Sequence, residues 1–287
     1  MSRFIDTHHH FWDPATADYP WMTEDLAVIR RKFTPHDLRP HLISAGVTET
    51  ILVQTRSSYR ESQAFLELAA ETDFVSGVVA WVDLVDENVA DAIQQLKDGK
   101  GGAYLVGIRH QVHDEADANW LLRADVQRGL KAVADHGLVS DLLLRPRELP
   151  AAVRAVAAMP EAHWVLDHIA KPEIAAGGWE PWAADLRRLV DASPNCWVKL
   201  SGMVTEADWA DWTPQDLAPY VAHVLECFGP ERCMIGSDWP VCLLAASYEQ
   251  TINAARQLIS TLPDAQQAAI LASNAVAAYG LSPEGRR

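Results

Sequence analysis

The chain has 287 residues, 49% of them hydrophobic and 22% charged, with 39 Asp and Glu against 24 Lys and Arg for a formal net charge of −15. That apolar fraction supports a substantial core, while the acidic balance, with no basic run longer than Arg30-Arg31-Lys32, excludes nucleic acid and anionic membrane as expected partners. The cysteines Cys196, Cys227, Cys233 and Cys242 form no C-x-x-C pair, the opening Met1-Ser2-Arg3-Phe4-Ile5-Asp6 turns acidic where a signal peptide runs apolar, and no 18-residue uncharged apolar stretch occurs, so a soluble cytoplasmic protein with reduced thiols is expected.

The first β-rich run, Phe4–Thr7, leads into Asp6-Thr7-His8-His9-His10. Side chains two apart on a strand share a face, so His8 and His10 converge while His9 points away. The segment from His8 to about Phe33 is long and carries Phe11, Trp12, Tyr19, Pro20 and Trp21, which suits either a lid or a passive cap. Further strands are predicted at Thr50–Gln54, Val75–Val82, Tyr104–Arg109 and Val139–Leu143, separated by helices at Ser62–Thr72, Glu87–Lys97 and Ala124–His136. A helix at Arg147–Ala158 precedes a sixth strand, His163–Leu166, which ends in Asp167-His168. After a helix at Glu180–Ala192 comes a seventh strand, Cys196–Leu200, which holds Lys199 as either a buried ion-pair member or a substrate-binding cation. Pro214–Phe228 is helical, the eighth strand Cys233–Gly236 runs into Ser237-Asp238-Trp239-Pro240, and helices at Tyr248–Thr261 and Ala265–Ala278 follow.

Eight strand–helix units at a period of roughly 30 residues imply parallel pairing through right-handed crossovers and an α/β fold, a closed (β/α)8 TIM barrel. No G-x-G-x-x-G follows a strand to favour an open sheet. The expectation is one domain over 1–287, with a long first βα loop and an additional C-terminal helix. In such a barrel the ends of strands one, six and eight share a mouth, where His8, His10, His168 and Asp238 form either a mononuclear metal site or a metal-free acid/base cluster.

These motifs resemble the amidohydrolase superfamily. Asp-x-His-x-His after strand one, His after strand six and Gly-Ser-Asp-Trp-Pro after strand eight carry the likeness. Ala17-Asp18-Tyr19-Pro20-Trp21, Gly107-Ile108-Arg109-His110-Gln111, Lys199-Leu200-Ser201-Gly202 and Gly236-Ser237-Asp238-Trp239-Pro240-Val241-Cys242 make it similar to the sugar-lactonase branch, the L-fucono- and L-rhamnonolactone hydrolases. Binuclear members use a carboxylated lysine after strand four and a histidine after strand five. Here those strands end in Arg109-His110 and Val139-Ser140-Asp141, so the resemblance implies either one divalent ion, most naturally Zn²⁺, or none strictly required.

It also implies roles. Asp238 is the expected general base, with its carboxyl raised from the usual value of about 3.9 by the enclosed mouth beside Trp239 and Pro240. His8, His10 and His168 polarise the carbonyl, directly or through a metal, and Arg109 either complements the oxyanion or pairs with a carboxylate such as Asp141. By position alone, after strands two, four, five and six, Gln54, Arg56, His110, Gln111, Asp141, Lys171 and Glu173 are candidate hydroxyl partners, and Trp21 and Trp239 are candidate stacking surfaces. His36, His41, His136, His163 and His223 are read as structural or exposed. The expected partner is a small sugar lactone, with monomer or homo-oligomer left open. The competing expectations are a zinc-dependent decarboxylase of the same superfamily and a silent barrel that binds sugar acids.

Overall fold

The computed structural model describes residues 3–285; Met1 and Ser2, part of the stretch read for a leader, lie outside the described residues. Eight strands form one sheet in sequence order: β1 Ile5–His9, β2 Glu49–Val53, β3 Val75–Ala80, β4 Leu105–His110, β5 Val139–Leu142, β6 Trp164–Leu166, β7 Cys196–Leu200 and β8 Cys233–Ile235. Every neighbouring pair is parallel. Beyond the end of β8 the sheet closes: Asp238 N–H donates to His8 O at 2.7 Å and His10 N–H to Trp239 O at 2.7 Å. The fold is a (β/α)8 barrel.

Around it lie α1 Pro35–Ala45, α2 Tyr59–Glu71, α3 Val89–Asp98, α4 Ala124–Asp135, α5 Leu149–Ala158, α6 Trp182–Ala192, α7 Pro214–Phe228 and α8 Tyr248–Leu258. Their starts follow local chemistry. Thr34 and Thr213 pair with Asp37 and Asp216 three residues on, each carboxylate taking the cap N–H at 2.8 and 2.7 Å, and each is followed by Pro at the first helical position. Ser58 and Ser247 accept the N–H of Glu61 and Gln250. Gly46 ends α1 in the left-handed conformation, φ 71°.

At the bottom of the barrel Ile5, Ile51, Val53, Val79, Val139, Val165 and Met234 form an apolar layer packed against Ala272, Ala275, Ala278 and Tyr279. The C-terminal segment expected as one helix is α9 Asp264–Ala268, a π turn over Ala269–Ser273 and α10 Asn274–Tyr279. At that junction Asn274 Nδ2 reaches Pro230 O and Cys233 O at 2.8 and 2.7 Å, tying the segment to the start of β8. The main difference among the strands is β1, which runs to His9 rather than Thr7. His8 and His9 look loop-like as a polar run, but the backbone there bonds across to residues 238 and 239, so it stays extended.

Candidate active site

The mouth is assembled by backbone geometry as much as by side chains. After β8, Ser237 N–H and Oγ donate to Asp6 Oδ1 and Oδ2 at 2.8 and 2.6 Å, and Tyr248 Oη adds a third donor at 3.1 Å. This clasp pins the β8 loop to β1 and sets Asp238 in a left-handed conformation, φ 55°, directed into the mouth. After β6, four consecutive residues without a glycine among them, His168, Ile169, Ala170 and Lys171, have φ of 53°, 49°, 60° and 49°. Lys171 N–H closes this left-handed turn on His168 O at 2.8 Å, and Trp182 Nε1 donates to Ile169 O at 2.7 Å. Each such residue costs about 1–2 kcal/mol, a strain that surrounding contacts must hold in place.

Three imidazoles converge on one carboxylate. The Nε2 atoms of His10, His8 and His168 lie 3.3, 3.8 and 3.9 Å from Asp238 Oδ1, and all four side chains are buried. The opposite ring nitrogens are anchored: His10 Nδ1 on Val53 O at 2.8 Å, His168 Nδ1 against Ser201 Oγ at 2.9 Å, and His8 Nδ1 3.3 Å from Asp167 Oδ1. Burial holds His8 and His168 well below the ordinary imidazole range, so both are neutral at pH 7. Burial raises the Asp238 carboxyl, but His168, His10 and Lys171 outweigh it and leave the carboxyl below the usual value. The expectation of a raised Asp238 is therefore corrected: the neighbouring imidazoles and the Lys171 side chain win over desolvation.

Beneath the mouth lies a buried charge network that joins Arg109 and Lys199 to Asp141 and Asp167. Arg109 donates to Asp167 Oδ2 at 3.0 Å, to Gln54 O at 2.6 Å, and lies 3.2 Å from His8 Nε2. Lys199, fully buried, sits 2.6 Å from Asp141 Oδ2, 2.9 Å from Asp167 Oδ1 and 3.3 Å from His8 Nδ1. Lys199 is an ion-pair member. The carboxylate partner of Arg109 is Asp167, not Asp141, although Arg109 and Asp141 are opposite in the β4–β5 register.

A cavity of about 510 Å³ opens above these groups, and His10, Arg109, His168 and Asp238 line it together with Trp21, Gln111 and Lys171. Trp21 comes from the long first loop, its indole N–H on Thr55 O at 3.2 Å, so that loop does form part of the wall. Other residues expected at the mouth do not line this cavity. Gln54 is buried in the wall against Arg109. Arg56 pairs with Glu61 at 3.4 Å. His110 faces outward from β4, stacked on Trp120 with ring centroids 4.2 Å apart. Asp141 is held by Lys199 and Tyr279 inside the barrel. Trp239 is buried edge-on against Phe33 and Phe11, with no face free for a ligand. His113, Arg145, Thr205, Glu206 and Trp209 line the cavity and were not anticipated, because the loops that carry them have no motif.

The donor set fits a divalent ion. His10 gives its Nδ1 proton to a carbonyl, so a neutral His10 turns the lone pair of Nε2 toward the Asp238 carboxylate 3.3 Å away, an arrangement that a cation or a proton between them satisfies. His8, His10 and Asp238 present ligand atoms within 4.8 Å of one another, each of the two imidazoles with a partner at its other nitrogen, as bound histidines require.

A family model described as "Amidohydrolase" matches residues 5–281. The chain is 38% identical over 292 residues to an L-fucono-1,5-lactonase of Burkholderia multivorans, covering 96% of both chains. It is 38% identical over 252 residues to an L-fucono-1,5-lactonase of Burkholderia ambifaria, covering 86% of this chain and 84% of that one. A crystal structure of an amidohydrolase from Burkholderia multivorans with bound zinc superposes with a TM-score of 0.93 at 35% identity, over 98% of this chain and all of that one.

Proposed function

Since the chain belongs to the amidohydrolase family, we propose that it opens the ester of a sugar-acid lactone, L-fucono-1,5-lactone or a close aldonolactone, with residues 1–287 acting as one catalytic domain. The observation that carries this reading is the convergence of three anchored imidazoles on Asp238 beneath a cavity of about 510 Å³, large enough for a six-carbon lactone.

Asp238, ionised at neutral pH, accepts a proton from water as the water oxygen attacks the lactone carbonyl carbon. A carboxylate with a lowered pKa is a weak base, so polarisation of the carbonyl must supply much of the acceleration. Arg109, fixed by Asp167 and Gln54, presents a guanidinium N–H at the cavity floor where negative charge develops on the carbonyl oxygen. Asp167 beside His8 Nδ1 keeps the proton on that nitrogen, so the Nε2 lone pair is left toward the Arg109 guanidinium 3.2 Å away and Asp238. Zinc, when bound by His8, His10, His168 and Asp238, would supply Lewis-acid polarisation of the same carbonyl. Collapse of the tetrahedral centre breaks the ring C–O bond, and the proton on Asp238 passes to the departing ring oxygen.

The test is release of acid from a panel of aldonolactones, followed with a pH indicator and run with and without chelator. Hydrolysis of L-fucono-1,5-lactone is expected, and no acid release from any lactone rejects the reading. Asp238→Asn should keep the fold and lower kcat by about 10²–10⁴-fold; unchanged turnover removes Asp238 from the mechanism.

A further inference from the structure

Arg109, Arg145 and Lys171 are the Arg and Lys side chains that line the active cavity. Two are already neutralised: Arg109 by Asp167 at 3.0 Å, and Lys171 by Glu206 at 2.8 Å. Arg145, on the loop after β5, is exposed and its guanidinium makes no ion pair and no hydrogen bond among the described residues; its backbone N–H alone is engaged, on Glu148. Asp114, a carboxylate on the same cavity that Arg145 helps to stabilise, is held below the usual range chiefly by a hydrogen bond from His113. Arg145 also faces a second cavity of about 270 Å³, which shares Arg145, Lys171 and Glu206 with the first and continues past Pro172 to Trp182. The two cavities thus meet along Arg145, Lys171 and Glu206, and of these three Arg145 is the one whose charged group makes no ion pair among the described residues.

We propose that Arg145 holds the carboxylate created by hydrolysis and draws the open-chain product away from Asp238. This rests on the lactonase reading. The substrate is a neutral cyclic ester; water adds to its carbonyl carbon, the ring C–O bond breaks, the ring oxygen takes one proton and the new carboxylic acid releases the other to solvent. One negative charge therefore appears beside the Asp238 carboxylate, in a buried site where like charges repel strongly. A free guanidinium on the same cavity wall offers that anion a two-pronged, charge-assisted partner. To the uncharged lactone it offers much less, so Arg145 discriminates product from substrate by charge rather than by sugar.

The experiment compares the unmodified protein with Arg145→Gln and Arg145→Lys. It measures KM for L-fucono-1,5-lactone, the inhibition constant of the open-chain aldonate made from it, and calorimetric binding of that aldonate at low and high salt. Arg145→Gln should weaken aldonate inhibition about tenfold, the loss of one charge-assisted contact, with KM changed by less than about twofold. Arg145→Lys should fall between, and added salt should weaken aldonate binding to the unmodified protein but not to Arg145→Gln. Equal shifts in KM and in the inhibition constant, or unchanged aldonate binding in Arg145→Gln, overturn the proposal while leaving lactone hydrolysis standing. Failure of the unmodified protein to hydrolyse any lactone overturns the lactonase reading instead, and calorimetry on the aldonate still decides whether Arg145 binds a carboxylate.

Discussion

Gly202 lies under the His168 ring: at φ 60°, a Cβ there would stand 2.5 Å from His168 Nδ1 and 2.7 Å from its Cγ. Gly202→Ala is expected to push the imidazole off Ser201 and out of line with Asp238, lowering kcat at least about tenfold while the left-handed backbone costs about 1–2 kcal/mol. Steady-state kinetics beside a urea titration checks both parts, and a variant with normal kcat would sink the packing argument. Lys199 is the second test at this scale. Burial pushes Asp141 up to about 6 even with the Lys199 ammonium 2.6 Å away. Lys199→Met leaves Asp141 and Asp167 buried without that cation, and a loss of about 3–5 kcal/mol of stability is expected, partly restored by adding Asp141→Asn; strict additivity of the two changes in urea denaturation would show that they do not interact. The histidines and Asp238 were legible because apolar runs ended in polar residues at three strand ends. Lys199 was legible as a candidate for a buried ion pair, but its partners Asp141 and Asp167 were not, because pairing inside a barrel depends on depth along each strand, and sequence reports the face of a strand far better than its depth.

Most helices and strands could be placed from periodicity and caps, and α7 Pro214–Phe228 has the bounds its Thr-Pro start and Gly229 stop imply. The exceptions have a common cause: tertiary contacts extend or break what local sequence suggests. β1 is lengthened by closure of the barrel, and the last helix is interrupted by a π turn next to Asn274. The left-handed turn at 168–171 is the least predictable element, since no glycine marks it. Gly129 gives an element-scale test with an unusual sign. Alanine inside a helix ordinarily stabilises by about 1 kcal/mol relative to glycine. In α4 a Cβ at position 129 would stand 2.1 Å from Leu84 O, so the helix rides directly on the backbone after β3. Gly129→Ala should therefore lower the urea midpoint; a higher midpoint would mean that α4 and that loop are not in contact.

Across the whole molecule the thiols report on packing. Cys196, Cys233 and Cys242 are buried, and burial pushes the Cys196 thiol up to about 12 and the other two upward as well. Cys227 is only half-buried, on the outer layer. A thiol reagent at pH 8 should titrate Cys227 first in the native protein and all four cysteines only after denaturation; rapid native labelling of Cys196 would contradict the closed barrel. No helix among the described residues is long and apolar enough to cross a membrane.

Tyr279 Oη touches both oxygens of Asp141 at 3.1 and 2.9 Å, Asp141 holds Lys199, and Lys199 stands against His8. The plug at the bottom of the cylinder is thus wired, through its axis, to the reagents at the top. During translation His8 leaves the ribosome long before Tyr279 exists. A nascent chain with every strand in place still lacks the phenol that steadies the charges under its histidines, so the buried network beneath the mouth is completed only by the closing helix.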